Sequence, residues 1–75
     1  MKYLIILEPT NNGFCAYSPD IDGCIAAAET RDETITLMRE AIEFHLEGMI
    51  AAGYPLPTSQ SESAIVEIGA LQDVV

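Results

Sequence analysis

Apolar side chains fall on both faces of the first extended run. With Tyr3, Ile5 and Leu7 on one side and Leu4, Ile6 and Glu8 on the other, residues 2–8 read as a strand buried from two directions. That pattern belongs to the inside of a sheet. Asn11-Asn12-Gly13 then supplies, at Asn12 and Gly13, residues that tolerate the positive φ of a hairpin turn, and residues 14–18 return as a second strand. Pro19-Asp20-Ile21-Asp22-Gly23 combines a fixed φ, two side chains able to bond their own backbone and a glycine. It reads as a turn into a third strand over residues 24–28. The three strands form an antiparallel meander.

Beyond residue 29 the period of the pattern becomes helical. Thr30 followed three residues later by Glu33 is a capping box, and Glu29, Asp32 and Glu33 suit the positive end of a helix dipole. Gly53 can take a left-handed cap with Tyr54 folding back on Met49, and Pro55 and Pro57 forbid continuation, so the helix is expected over residues 31–52. At 100° steps Ile35, Met38, Ile42, His45, Leu46 and Met49 make one stripe for the sheet. Leu37, Ala41, Phe44 and Gly48 make a second stripe, rotated away from the first and flanked by Glu33, Glu40 and Glu47. Such a stripe is a broadened core contact, a seam for self-association or a surface for another protein. Gly48 lowers helix propensity by about 1 kcal/mol relative to Ala, and close approach of another backbone would account for it. A helix of about 33 Å over a strand of about 23 Å must overhang the sheet at one end.

After a polar connection at residues 55–63, Ala64-Ile65-Val66-Glu67-Ile68 reads as a fourth strand. A right-handed crossover lays it parallel to the first strand, for a sheet order of 3-2-1-4. The expected fold is α+β, in the order β-β-β-α-β, as a single domain over residues 1–75 without internal repeats. One helix covers only one sheet face, so either Leu4 and Ile6 or Tyr3, Ile5 and Leu7 are wet. At about 25 cal/mol per Å² that aliphatic surface favours burial. A homo-oligomer follows, most simply a dimer, with Leu4, Ile6, Leu37, Ala41 and Gly48 as interface residues.

Composition sharpens the choice of partner. Seventy-five residues bury only about 60% of the surface of the unfolded chain, which leaves a thin core. Twelve acidic residues against three basic ones give a net charge of −9. That balance repels nucleic-acid phosphates and anionic membranes and attracts cationic proteins. No signal-peptide pattern is visible, and no run approaches the length of a membrane span. A cytoplasmic setting is therefore expected, in which Cys15 and Cys24 are reduced, small buried side chains rather than a disulfide.

Candidate chemistry is sparse. His45, the only histidine, lies on the core stripe, where a packed imidazole is the ordinary reading. Neither His-Glu-x-x-His nor Cys-x-x-Cys occurs. Cys15 as nucleophile with His45 as base lacks anything to lower the thiol pKa. Glu8, Asp20, Asp22 and Glu29 are the carboxylates available for Mg²⁺ and phosphoryl chemistry, but Asp20 and Asp22 have a sufficient role in the turn. No catalytic residue, metal or cofactor is assigned, and an enzyme is not expected.

The string GFCAYSPDIDGCIAAAETRDETITLMREAIEFHLEGM, followed by AAGYPLP, closely resembles the HicB antitoxin family. The resemblance rests on a Tyr-x-Pro-Asp-x-x-Gly-Cys turn, a Thr-x-x-Glu helix start, Glu-Ala-Ile, and His-Leu-Glu-Gly before Pro-x-Pro, and it covers residues 1 to about 68. It implies a partial ribonuclease-H-like fold without the active-site carboxylates of ribonuclease H. It also implies binding to HicA, a small basic toxin that cleaves RNA. Family members usually carry a separate C-terminal operator-binding segment, and the expectation for this sequence is a single-domain member without one.

The sequence therefore predicts an acidic interaction module that neutralises a HicA-like ribonuclease by occlusion. The expected contacts are Glu33, Glu40, Phe44 and Glu47, with Asp20, Ile21 and Asp22 as a second patch. The alternatives are an orphan structural or ligand-binding protein of the same family and, less favoured, a Mg²⁺-dependent nuclease.

Overall fold

Three antiparallel strands and one helix make up the structure, a computed structural model that describes residues 1–69. They are β1 (Ile6–Thr10), β2 (Gly13–Ser18), β3 (Ile21–Ala28) and α1 (Arg31–Ala51), with sheet order β1-β2-β3. The meander, the helix and the α+β class follow the hydrophobic pattern. The first strand starts later than the pattern suggests, and residues 2–5 form its lead-in, where the Ser18 hydroxyl donates to the Leu4 carbonyl at 2.8 Å.

The first turn works differently from the expectation. Among the described residues positive φ occurs only at Gly23 and Gly53, so neither Asn12 nor Gly13 uses its tolerance for it. Gly13 is required for space: a Cβ there would run into the Ala28 carbonyl oxygen and come within 2.9 Å of Glu29 Cα, where β2 passes the end of β3. The second turn is confined to Pro19 and Asp20. A register irregularity pairs Tyr17 with Ile25 but Ser18 with Ile21, and Gly23, at φ 84°, lets β3 bulge between them.

Pairing of Leu7 with Ala16 and of Ala16 with Ala26 puts these side chains on one face of the sheet, with Ile5, Cys24 and the helix. Ala16, Ile21, Cys24 and Met38 form the buried centre. Thr34 is fully buried beside them because its hydroxyl donates to the Thr30 carbonyl at 2.7 Å, which removes the cost of burying a polar group.

The helix is capped at both ends. Thr30 Oγ1 accepts the Glu33 N–H at 3.1 Å, and the Thr30 hydroxyl lies 3.0 Å from Glu33 Oε1, so the carboxylate engages the hydroxyl rather than a backbone N–H. At the other end Gly53, at φ 79°, lets its own N–H reach the Ile50 carbonyl and the Tyr54 N–H reach the Met49 carbonyl. The fold-back of Tyr54 onto Met49 is thus present.

One expected element is not formed within the chain. Residues 64–68 have no strand pairing among the described residues, so the sheet has three strands and the order 3-2-1-4 is not reached. As a result β1, whose sequence reads as internal, stands at an edge.

Candidate protein-interaction surfaces

By helical geometry Glu33, Leu37, Glu40, Phe44 and Glu47 share the face of α1 that points away from the sheet, and all five are exposed. Ala41 is half-buried at the margin of this stripe, with its carbonyl 3.9 Å from Cys24 Sγ, so it belongs to the core side. Phe44 is 80% exposed. Beside it, His45, Gly48, Met49 and Tyr54 complete a shallow hollow of about 270 Å³ at the C-terminal end of the helix. A Cβ at Gly48 would meet nothing in this chain, which leaves room for another backbone. The last helical turn has no basic residue, so the negative end of the helix dipole, near Glu47, has no cation in that turn.

The second expected patch is rearranged. Ile21 is only 2% exposed and belongs to the core, so it is not a surface contact of this chain. The reason is that β3 starts at residue 21 rather than after the turn. Asp20 is engaged: its Oδ2 accepts the N–H groups of Gln60 and Ser61 at 3.1 and 3.0 Å, and its Oδ1 accepts the Ser61 hydroxyl at 2.7 Å. The Ser61 hydroxyl first, and then the Ser61 N–H, hold this carboxyl below its ordinary value of 3.8. Asp22 alone of the three is free on the surface. Nothing local announces the Asp20 contact, because it joins residues 40 apart.

On the sheet face away from the helix, Ile6 pairs with Tyr17 and Tyr17 with Ile25, which aligns three large apolar side chains across all strands. Ile25 is 76% exposed. Leu4 and Ile6, expected at an oligomer interface, are half-buried, while Tyr17 and Ile25 are the more exposed members and escaped the sequence reading. A further groove of about 420 Å³ runs between the lead-in to β1 and the helix, lined by Tyr3, Ile5, Ile35, Ile42 and Leu46 with Arg39 at its margin.

The remaining candidates do not converge. Cys15 faces outward with Ala27, whereas Cys24 faces the helix, so the two free thiols lie on opposite faces of the sheet. Burial pushes the Cys24 thiol up. Glu29 follows β3 beside Gly13, at the opposite end of the sheet from Asp20 and Asp22. No group of three or more metal-binding side chains occurs among the described residues. No described helix is long and apolar enough to cross a membrane.

Residues 3–75 match the family model of HicB-like antitoxins of bacterial toxin–antitoxin systems. A 14.9 kDa protein encoded between rep and hol in Haemophilus phage HP1 is 41% identical over 59 residues, which cover 79% of this chain and 44% of that protein. The chain thus spans less than half the length of this relative. A UPF0150 protein of Synechocystis is 36% identical over 57 residues, covering 75% of this chain and 72% of that protein. Among solved structures, a chain of a HicA3–HicB3 toxin–antitoxin complex superposes with a TM-score of 0.67 at 37% identity, over 80% of this chain and 70% of that one. A HicB3 antitoxin crystal structure matches in fold with a TM-score of 0.65 at 24% identity, over 96% of this chain and 75% of that one.

Proposed function

The chain belongs to the HicB-like antitoxins of bacterial toxin–antitoxin systems, and from that premise we propose that it binds and neutralises a small basic HicA-type ribonuclease. It acts as a stoichiometric cover and not as a catalyst. The observation that carries this reading is the outward face of α1, where the exposed Phe44 stands among Glu33, Glu40 and Glu47 on a chain of net charge −9. An aromatic anchor within a rim of one charge sign is the pattern of a protein interface, since the anchor supplies affinity and the charges steer a cationic partner. The dipole end without a cation extends the same negative surface beyond Glu47. Asp22, near the start of β3, is the remaining candidate of the second patch, and the row Ile6, Tyr17 and Ile25 is the candidate for self-association.

The test is titration of the chain into an RNA-cleavage reaction of a HicA-type toxin. Cleavage should fall to zero near equimolar addition, and the affinity should weaken from about 50 to about 500 mM salt. Full cleavage at a several-fold excess of this chain would overturn the reading.

A further inference from the structure

We propose that residues 64–68 are exchanged between two copies of the chain, each copy laying this segment as a fourth strand along the free edge of the other's β1. The proposal goes beyond toxin binding and does not depend on it.

Three features of one copy describe a missing strand. First, β1 has an open edge. The two-residue turn makes Thr10 and Gly13 the closing pair, so alternation directs the even-numbered backbone groups of β1 toward β2 and those of Leu7 away from it, and the same alternation carried into the lead-in would turn Tyr3 and Ile5 outward. The bond from Ser18 to the Leu4 carbonyl fits that alternation. Second, an open groove remains between the helix and this edge. The helix packs on β3 and β2, and Ile35, Ile42 and Leu46 line the groove of about 420 Å³ beside Ile5. Third, the segment that reads as a strand lies bare, with Ile65 101%, Val66 74% and Ile68 66% exposed. Five residues of arm span about 17 Å, the same as Tyr3 to Leu7, and Pro9, which lacks an N–H, ends the usable edge.

The path of the chain makes the occupant a second copy. The Tyr3 hydroxyl donates to the Pro57 carbonyl at 2.6 Å, the Ser59 hydroxyl bonds the Lys2 carbonyl, and Asp20 clamps Gln60 and Ser61. These contacts carry the chain from the groove, past the start of β1, to the β2–β3 turn. Residues 62 and 63 are then too few to reverse and recross, because three residues span at most about 10 Å, or two strand spacings. The chain is accordingly long, 57 × 28 × 17 Å, with a radius of gyration of 16.1 Å against about 11 Å for a compact chain of its length. Arg39 lines the groove together with Glu43, and the one charged residue of the arm is Glu67, for which Arg39 is the cation at this groove. With alternation, Val66 and Ile68 face Ile35, Ile42 and Leu46 of the other copy. Reciprocal exchange closes a two-fold dimer and gives the order 3-2-1-4 in each sheet.

The decisive experiment compares the chain with a V66D/I68D variant by light scattering at micromolar concentration, and maps contacts in a mixture of ¹³C-labelled and unlabelled chains. Both substituted side chains are exposed in the single copy, so the variant folds. The native chain should be a dimer, the variant a monomer with unchanged helical circular dichroism, and dimerisation should weaken about 100-fold or more. Filtered NOEs should join Ile68 methyls of one chain to Ile42 or Leu46 of the other. A monomeric native chain, a variant that remains dimeric, or NOEs confined to one chain would each overturn the exchange. None of these outcomes bears on toxin binding.

Discussion

Asp20 shows how much a single side chain can organise. Three donors converge on its carboxylate, and a carboxyl held below its unfolded value contributes to structure above that value and loses the contribution as pH falls through the folded one. The tether of residues 57–61 is therefore intact at neutral pH and released only in acid below pH 3.8. Asp20→Asn should speed amide exchange at Gln60 and Ser61 at neutral pH while the helix signal stays unchanged; unaltered protection of both amides would mean that Asp20 does not hold the segment. Cys24 offers a second local test. Buried, and with its thiol pushed up by that burial, it should react with alkylating reagents about tenfold or more slowly than in the unfolded chain. At this scale the sequence misled at one position and was silent at another. Ile21 reads as a turn residue because Pro, Asp and Gly surround it, yet the strand begins there and buries it. Thr34, which the sequence pattern did not single out, is buried one turn beyond the cap, where the Thr30 carbonyl accepts its hydroxyl proton.

Among the elements, the helix was the most legible, since capping and stop signals act within a few residues. The cap should be measurable: Thr30→Ala removes the acceptor for the Glu33 N–H and should cost about 1 kcal/mol, which lowers the melting temperature by roughly 4–8 °C in a domain of this size. A melting temperature unchanged by the substitution would show that water replaces the cap at no cost. Gly13→Ala should be far more damaging, because the methyl group meets the backbone of Ala28 and Glu29 and one of the two strands must move. Strands were less legible than the helix for a physical reason. Alternation tells which residues share a face, but it names neither the register nor the neighbour. Thus the hairpin was found while the row Ile6, Tyr17, Ile25 was not, because it depends on the length of two turns and a bulge. The same ambiguity explains the fourth strand. The pattern of residues 64–68 is that of a strand, and the two-sided pattern of Leu4 to Leu7 is that of a strand with neighbours on both sides, but neither says which copy supplies the partner.

For the molecule as a whole, charge and exposed apolar surface pull in opposite directions. A chain of net charge −9 resists its own compaction and association, so added salt should raise its melting temperature by screening like charges. The same salt should weaken the complex with a basic toxin, and the opposite signs separate self-repulsion from partner attraction within one titration series. Phe44 is the residue that tests the proposed toxin-binding surface. At 80% exposure it contributes little to folding, and its replacement by Ala should shift stability by no more than about 0.5 kcal/mol. If the outward helix face is the binding surface, that truncation should weaken the toxin complex tenfold or more, as loss of a central aromatic anchor does. Glu40→Gln and Glu47→Gln should act on the association rate and its salt dependence instead, because exposed rim charges steer encounter more than they hold the complex. A Phe44→Ala chain that still silences the toxin at equimolar concentration with unchanged affinity would move the binding surface off this helix, to the sheet face that carries Tyr17 and Ile25.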